Sequence, residues 1–361
     1  MDRLQFLKRL IEIKSFDTNN NKEIVDFLVE SFKPYAKEIK RLKNFNDSRE
    51  NLLIGLNTKL KNISDAVVLS GHIDTVVADV LKYDTNPYLA TEKDGKVFGL
   101  GSIDMKSFFA CILNNIEQLS KQKLPIIIAI TGDEETTFEG VDVLTAEMQR
   151  LNIVPKLTIV GEPTSLKVCT LSKSCFEYQV DITGKGCHSS APQNGINANY
   201  VAARIMLFIE KLCKKQKYTT LTSNVVCGGE KVNIISAFAS LKFDIRSESQ
   251  KSADKVLLKI ERYLIKLIKK YGAQIVLKQN LKIPALEDNK SSLIECLVSK
   301  FGLETAEFKG GCEAGCYQAL GGDAMVFGVG NLNLAHKPNE YVEIEEFKKY
   351  EQLLLDIISI V

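Results

Sequence analysis

The sequence predicts an α/β fold, a central, mostly parallel sheet flanked by helices, with a smaller α+β unit inserted into it. Three observations carry this reading. Over the first half, short apolar runs rich in β-branched residues alternate with segments of helical periodicity, the pattern of βαβ units. From Ser174 the pattern turns to half-buried strands and two long amphipathic helices. After Ile283 the first style returns, so the chain divides into a discontinuous domain, residues 1–173 and 284–361, and an insertion, residues 174–283.

The opening MDRLQFLKRLIEIKSF mixes charges with apolar residues at helical spacing and predicts an amphipathic helix. Strands follow at NLLIGL (51–56) and AVVLSG (66–71), a helix over 105–121, a strand at PIIIAITG (125–132), a helix over 145–151 and a strand at KLTIVGEP (156–163). In the insertion, CFEYQVDITG (175–184) and ASLKFDIRS (239–247) alternate apolar and polar residues, as strands with one covered face do. Amphipathic helices over 197–215 and 253–272 supply the cover. The last segment brings a strand at AMVFGVGN (324–331) and a closing helix over 345–361.

Charge is nearly balanced, 47 Lys and Arg against 45 Asp and Glu, so no strong field selects nucleic acid or an anionic membrane as partner. A small-molecule ligand is the expectation. The first residues lack the uninterrupted apolar stretch of a signal peptide or membrane span, and nine cysteines without paired zinc-type spacing read as reduced thiols; a cytoplasmic protein follows. Cys312 and Cys316 have the wrong spacing for C-x-x-C and read as packed thiols.

Four of the strands end alike. VVLSG runs into His72 and Asp74, IIIAITG into Asp133, Glu134 and Glu135, LTIVG into Glu162, and MVFGVG leads on to His336. In open α/β sheets ligands bind beyond the carboxyl ends of the strands, so these side chains can converge. Each alone has a plainer reading: a satisfied structural histidine, a solvated acidic loop, a turn cap before Pro163. Together they place two of only three histidines and a set of carboxylates at equivalent positions, beside the glycine-flanked GLGSIDMK. Imidazoles with carboxylates and no thiolate suit zinc, cobalt or manganese. Residues i and i+2 of an extended segment share a side, so Asp74 can sit behind His72 and fix its tautomer. Glu134 and Glu135 point differently, which lets one ligate a cation while the other acts as general base on the attacking water.

Over essentially its whole length the chain resembles the zinc-dependent aminoacylase, deacylase and carboxypeptidase family, which includes acetylornithine deacetylases and succinyl-diaminopimelate desuccinylases. KYDTNPYLATEKDGKVFGLGSIDMKSFFACIL, IVGEPTSLK, GCHSSAPQNGINA, FDIR and AHKPNEYVEI are most similar to the acetylornithine deacetylases. The resemblance implies a two-metal site, zinc first, in which Asp104 bridges both ions, His72 and Glu162 complete one, and Glu135 and His336 the other. Glu134 would be the general base and Asp74 the carboxylate behind His72. His188 would stabilise the oxyanion, typically from the partner subunit of a homodimer formed through residues 174–283, which would serve as lid and dimerisation domain. Arg246 and Asn233 match positions that hold the substrate's carboxylate or the transition state. The implied reaction is hydrolysis of an N-acyl amino acid, acetylornithine first, with succinyl-diaminopimelate, acetylcitrulline or a dipeptide as alternatives and a silent metal- or amino-acid-binding relative as the alternative of another class.

Plainer readings stand beside these roles: a surface salt bridge for Arg246, a turn for Asn233, and for Glu313 either a contact to a cationic substrate or a helix-start carboxylate. Cys187, next to His188, makes no Cys-His dyad, because adjacent residues of an extended chain diverge. The chain departs from the family pattern at Val77, often proline, and at Cys187, often a small residue. Both departures concern loop shape and substrate fit.

Overall fold

The strand that delivers His72 lies inside an eight-stranded sheet. In spatial order the strands are Glu38–Lys43, Glu50–Gly55, Ile126–Thr131, Ile63–His72, Ile153–Val160, Asp323–Val326, Val168–Ser172 and Thr305–Phe308. The four central strands run parallel, while Glu38–Lys43, Glu50–Gly55 and Val168–Ser172 pair antiparallel beside them. Parallel strands need cover on both faces, and Ile126–Thr131 is buried at every position, as its unbroken apolar sequence requires. Register pairs His72 with Thr131 and Ser70 with Val160, so neighbouring carboxyl ends finish nearly level.

The computed structural model describes residues 3–16, 20–46, 48–288 and 290–361; Met1 and Asp2 of the predicted first helix lie outside the described residues. That helix is Gln5–Glu12, with Leu7, Leu10 and Ile11 turned inward. The helix Lys106–Asn114 is buried along almost its whole length and lies close against the sheet. A Cβ at Gly71 would stand 2.1 Å from the Met105 side chain, and one at Gly161 would stand 2.1 Å from the Phe108 ring. Only glycine permits this approach.

Ser172–Glu287 forms a separate unit from the rest of the chain. Its antiparallel sheet has the order Thr219–Gly228, Phe238–Ser247, Ser174–Thr183, Gln274–Ile283. Val180, Ile182, Leu241 and Ile245 form one core with residues of the helices Ala198–Cys213 and Gln250–Tyr271. Asn197 and Ser249 cap the two helices with their side-chain oxygens, and Gly272 ends the second in the left-handed conformation.

Some boundaries differ from expectation for identifiable reasons. The helix predicted over 145–151 begins at Glu139, because the buried Asp133 carboxylate accepts the N–H groups of Glu139 (2.7 Å) and Gly140 (2.8 Å) and so caps it from outside its sequence neighbourhood. The helix predicted over 105–121 divides at Asn115, whose side chain donates to the Cys111 carbonyl (2.9 Å). Helices at Lys22–Phe32 and Ser292–Phe301 were not assigned from sequence. Among the described residues no helix is long and apolar enough to cross a membrane.

Candidate metal centre

His72 is the last residue of its strand and is 1 % exposed. Its Nδ1 lies 3.0 Å from the Asp74 carbonyl oxygen, which can only accept, so Nδ1 carries the proton. Nε2 is thereby directed at Asp104 Oδ1 (3.0 Å) and Glu162 Oε1 (3.7 Å). The Asp74 carboxylate, with Oδ1 3.4 Å from Nδ1, also accepts the N–H groups of Glu134 (3.1 Å) and Glu135 (3.0 Å). One aspartate therefore ties the end of the His72 strand to the acidic loop of the next strand.

Asp104 divides its two oxygens. Oδ1 meets His72, and Oδ2 lies 3.3 Å from His336 Nε2, which is in turn 2.7 Å from Glu135 Oε1. His336 stands in the left-handed region (φ 58°) at the head of the turn that leads into Tyr341–Glu343. Among the described residues three triads at this place bring one donor atom each within 4.8 Å of one another: His72, Asp104 and Glu162; Asp104, Glu135 and His336; His72, Glu134 and Glu135; a fourth, Cys175, Glu177 and Asp244, lies in the Ser172–Glu287 unit. The structure thus collects His72, Asp104, Glu134, Glu135, Glu162 and His336 in one place, with Asp74 directly behind them.

The electrostatics are lopsided. Burial works against a charged His72, yet its bonds to Asp104 and Asp74 outweigh it and hold its pKa well above the usual range. His336 is pushed up to about 10 by hydrogen bonds to Asp104 and Glu135. Burial, then the surrounding charges, drives Glu134 and Glu162 well above ordinary carboxylates. Glu162 Oε1 is buried and finds no hydrogen-bond donor among the described residues. Four carboxylates facing two imidazoles leave excess negative charge beside the buried His72, Asp104 and Glu162, and a buried charge without a partner is costly. Two divalent cations would match the four carboxylates, and nitrogen with carboxylate oxygen is the donor set that zinc, cobalt and manganese accept. The residues fit such a group.

Residues that sequence reasoning passed over hold this centre in place. Glu340, 2 % exposed, accepts backbone N–H groups from Gly101 (3.1 Å), Ile103 (2.8 Å) and Asp104 (3.2 Å). Burial raises its pKa to about 7. Lys106, buried in the same region, donates to the Ile13 carbonyl (2.9 Å), and burial lowers its pKa to about 7. A lone lysine in the apolar run MKSFFACIL was the available signal. Glu313 is 1 % exposed and makes no helix-capping bond; its carboxylate accepts from Ser70 Oγ (3.0 Å) and Thr131 Oγ1, bracing two parallel strands below His72.

The remaining expected site residues fall in the Ser172–Glu287 unit and are described there. His188 Nδ1 lies 2.7 Å from Ser190 Oγ, and Ser189 donates to the Asn233 carbonyl (3.0 Å), which sets His188 and Asn233 on neighbouring strand-like segments. Arg246 is ion-paired with Asp244, its Nε 3.0 and 2.9 Å from the two oxygens. Cys187 donates to the Ala191 carbonyl (3.4 Å).

A carboxylate-rich, two-histidine centre at the carboxyl ends of a parallel sheet defines a metal-dependent hydrolase. The comparisons give the particular family. The chain belongs to Peptidase family M20/M25/M40, whose profile matches residues 68–359. It is 29% identical over 377 residues to the acetylornithine deacetylase of Buchnera aphidicola subsp. Acyrthosiphon pisum (strain Tuc7), covering 99% of this chain and 97% of that one. To the acetylornithine deacetylase of Pasteurella multocida (strain Pm70) it is 34% identical over 308 residues, 81% of this chain and 80% of the other. The Bacillus subtilis YXEP protein, a dinuclear metal-binding peptidase of the M20 family, shares the fold with a TM-score of 0.71 at 14% identity, over 99% of this chain and 97% of that one.

The buried Glu313 makes a prediction for the metal-stripped protein. Burial raises its pKa from an ordinary 4.5 to about 7, so the folded state binds the extra proton and stability falls as pH rises through that window. Glu313→Gln keeps partners for both hydroxyls and removes the charge. In EDTA the variant should match the parent near pH 4.5 and exceed it at pH 8 by on the order of 3 kcal/mol, since each pKa unit is worth about 1.4 kcal/mol. Urea unfolding at the two pH values measures this; a pH-independent difference would contradict it.

Proposed function

We propose that this hydrolase cleaves the amide bond of an N-acyl amino acid, and that its substrate is N2-acetyl-L-ornithine, released as L-ornithine and acetate in arginine biosynthesis. The observation that carries the chemistry is Asp104, whose oxygens face His72 on one side and His336 on the other. Similarity to acetylornithine deacetylases over nearly the full chain supports the substrate.

In this reading His72, Asp104 and Glu162 hold one divalent cation and Asp104, Glu135 and His336 the other, zinc by preference, cobalt or manganese as substitutes. Such ions supply Lewis acidity and lower the pKa of water from 15.7 towards roughly 7. Asp74 keeps the His72 proton on Nδ1 and leaves Nε2 free to ligate. Glu134 takes a proton from the water as its oxygen adds to the acyl carbon, then gives that proton to the nitrogen as the C–N bond breaks. His188 donates to the carbonyl oxygen as negative charge develops there. Arg246 and Asn233 receive the substrate's carboxylate.

A homodimer formed through the inserted unit is part of the same proposal, with His188 acting across it. The strand Thr219–Gly228 is an edge of its sheet, and its own Val225 and Val226, with Leu207 of the helix Ala198–Cys213, are more than half exposed. An open strand edge with apolar flanks favours pairing with a second copy.

With zinc added, purified protein should hydrolyse acetylornithine faster than acetylcitrulline, succinyl-diaminopimelate or dipeptides. Glu134→Ala should keep its metal and lose about 10²- to 10⁴-fold in kcat. Equal rates for parent and variant would leave only a binding protein, and preference for another of these amides would reassign the substrate. Sedimentation should give a dimer; a monomer with full turnover would overturn the cross-subunit role of His188.

A further inference from the structure

The loop that carries Asp104 is held by a residue more than two hundred positions away. Strand Tyr341–Glu343 pairs antiparallel with Lys96–Phe98, Tyr341 opposite Phe98. That register brings Glu340 alongside the start of the loop, where its backbone carbonyl accepts the Gly99 N–H (3.0 Å). Its carboxylate then reaches under the next turn. Oε2 accepts from Gly101, and Oε1 accepts from Ile103 and Asp104, with Ser102 Oγ at 3.5 Å. Three backbone N–H groups of one short turn thus converge on one carboxylate, an anion nest whose anion is a side chain of the protein. Gly101 supplies the positive φ (77°) that the turn requires.

The same short turn carries His336, four residues before Glu340, and Asn339 anchors it by exchanging hydrogen bonds with Asp84 (2.8 and 2.9 Å). We infer that Glu340 is a positioning residue which fixes the Asp104 backbone so that one carboxylate oxygen faces each histidine. The segment 336–340 thereby sets both a histidine and the aspartate it shares with the other histidine. This rests on the metal reading above. It does not touch the reacting atoms, and its effect passes through Asp104.

Glu340→Gln keeps the shape but turns an amide –NH₂ toward one of the backbone donors, either the Gly101 N–H or the Ile103–Asp104 pair. Glu340→Asp keeps the charge and falls one methylene short. Outer-shell losses of this kind weaken metal binding about 10- to 100-fold. The test titrates cobalt(II) into metal-free parent and variants, following heat and the visible ligand-field band, with circular dichroism and melting of the metal-free proteins alongside. The expected result is a parent that binds two ions and a Gln variant that stays folded without metal, yet binds at least one ion about 10- to 100-fold more weakly with an altered band, the Asp variant falling between. Unchanged affinity and band in a folded Gln variant would overturn the assignment. Gln and Asp variants that are both unfolded without metal would overturn it too, by making Glu340 a residue of general stability. A parent that binds no ion pair would refute the metal reading itself, a distinct outcome.

Discussion

Four carboxylates crowd around two imidazoles, with His72, Asp104 and Glu162 buried and His336 at the open side, and this imbalance governs the rest of the structure. Asp104 alone is flanked by both histidines, and their hydrogen bonds hold its carboxyl far below the usual carboxylate range against the pull of burial. Glu134 and Glu162 meet the opposite fate and are driven upward. Hydrogen bonds alone do not settle such a cluster, because each imidazolium offers one positive charge and every additional carboxylate repels the others. Divalent charge does, which is why the geometry makes chemical sense as a centre for two cations.

Holding like charges together needs a rigid frame, and other carboxylates provide much of it. Asp74 accepts from Glu134 and Glu135, Asp133 from Glu139 and Gly140, and Glu340 from Gly101, Ile103 and Asp104. Each uses backbone N–H groups as partners and fixes a loop that bears a site residue. Below them, the parallel strands set the spacing through register, and Glu313 ties Ser70 to Thr131 just short of the strand ends. The site is thus a set of short loops, each bound at its root to a sheet that cannot shift without breaking several ladders.

Much of this was legible in the sequence because the central strands are apolar at consecutive positions and then stop abruptly at His72, Asp133 and Glu162. The α/β pattern, the change at the insertion and the convergence of strand-end polar residues all rest on that contrast. Less legible were features whose cause lies far along the chain. The start of the helix at Glu139 depends on Asp133, which reads as a third member of an acidic triplet until its hydrogen bonds are seen. Lys22–Phe32 places Ile24, Val25, Leu28 and Phe32 on one buried face, a helical spacing present in the sequence but masked by flanking polar residues. Glu340 looks like one more residue of the turn after His336, because only the pairing of Tyr341 with Phe98 brings it beneath Asp104. Within the inserted unit Arg246 pairs with Asp244 and His188 lies beside Ser190, contacts between near neighbours in sequence that a linear reading does not weigh.

The most direct measurement is a crystal structure of the zinc-loaded protein with anomalous data collected at the zinc edge. The account predicts two peaks, one bounded by His72, Asp104 and Glu162 and the other by Asp104, Glu135 and His336, with an Asp104 oxygen on each. No peak at this cluster, or a single peak that leaves His336 or Glu162 without a metal contact, would contradict it.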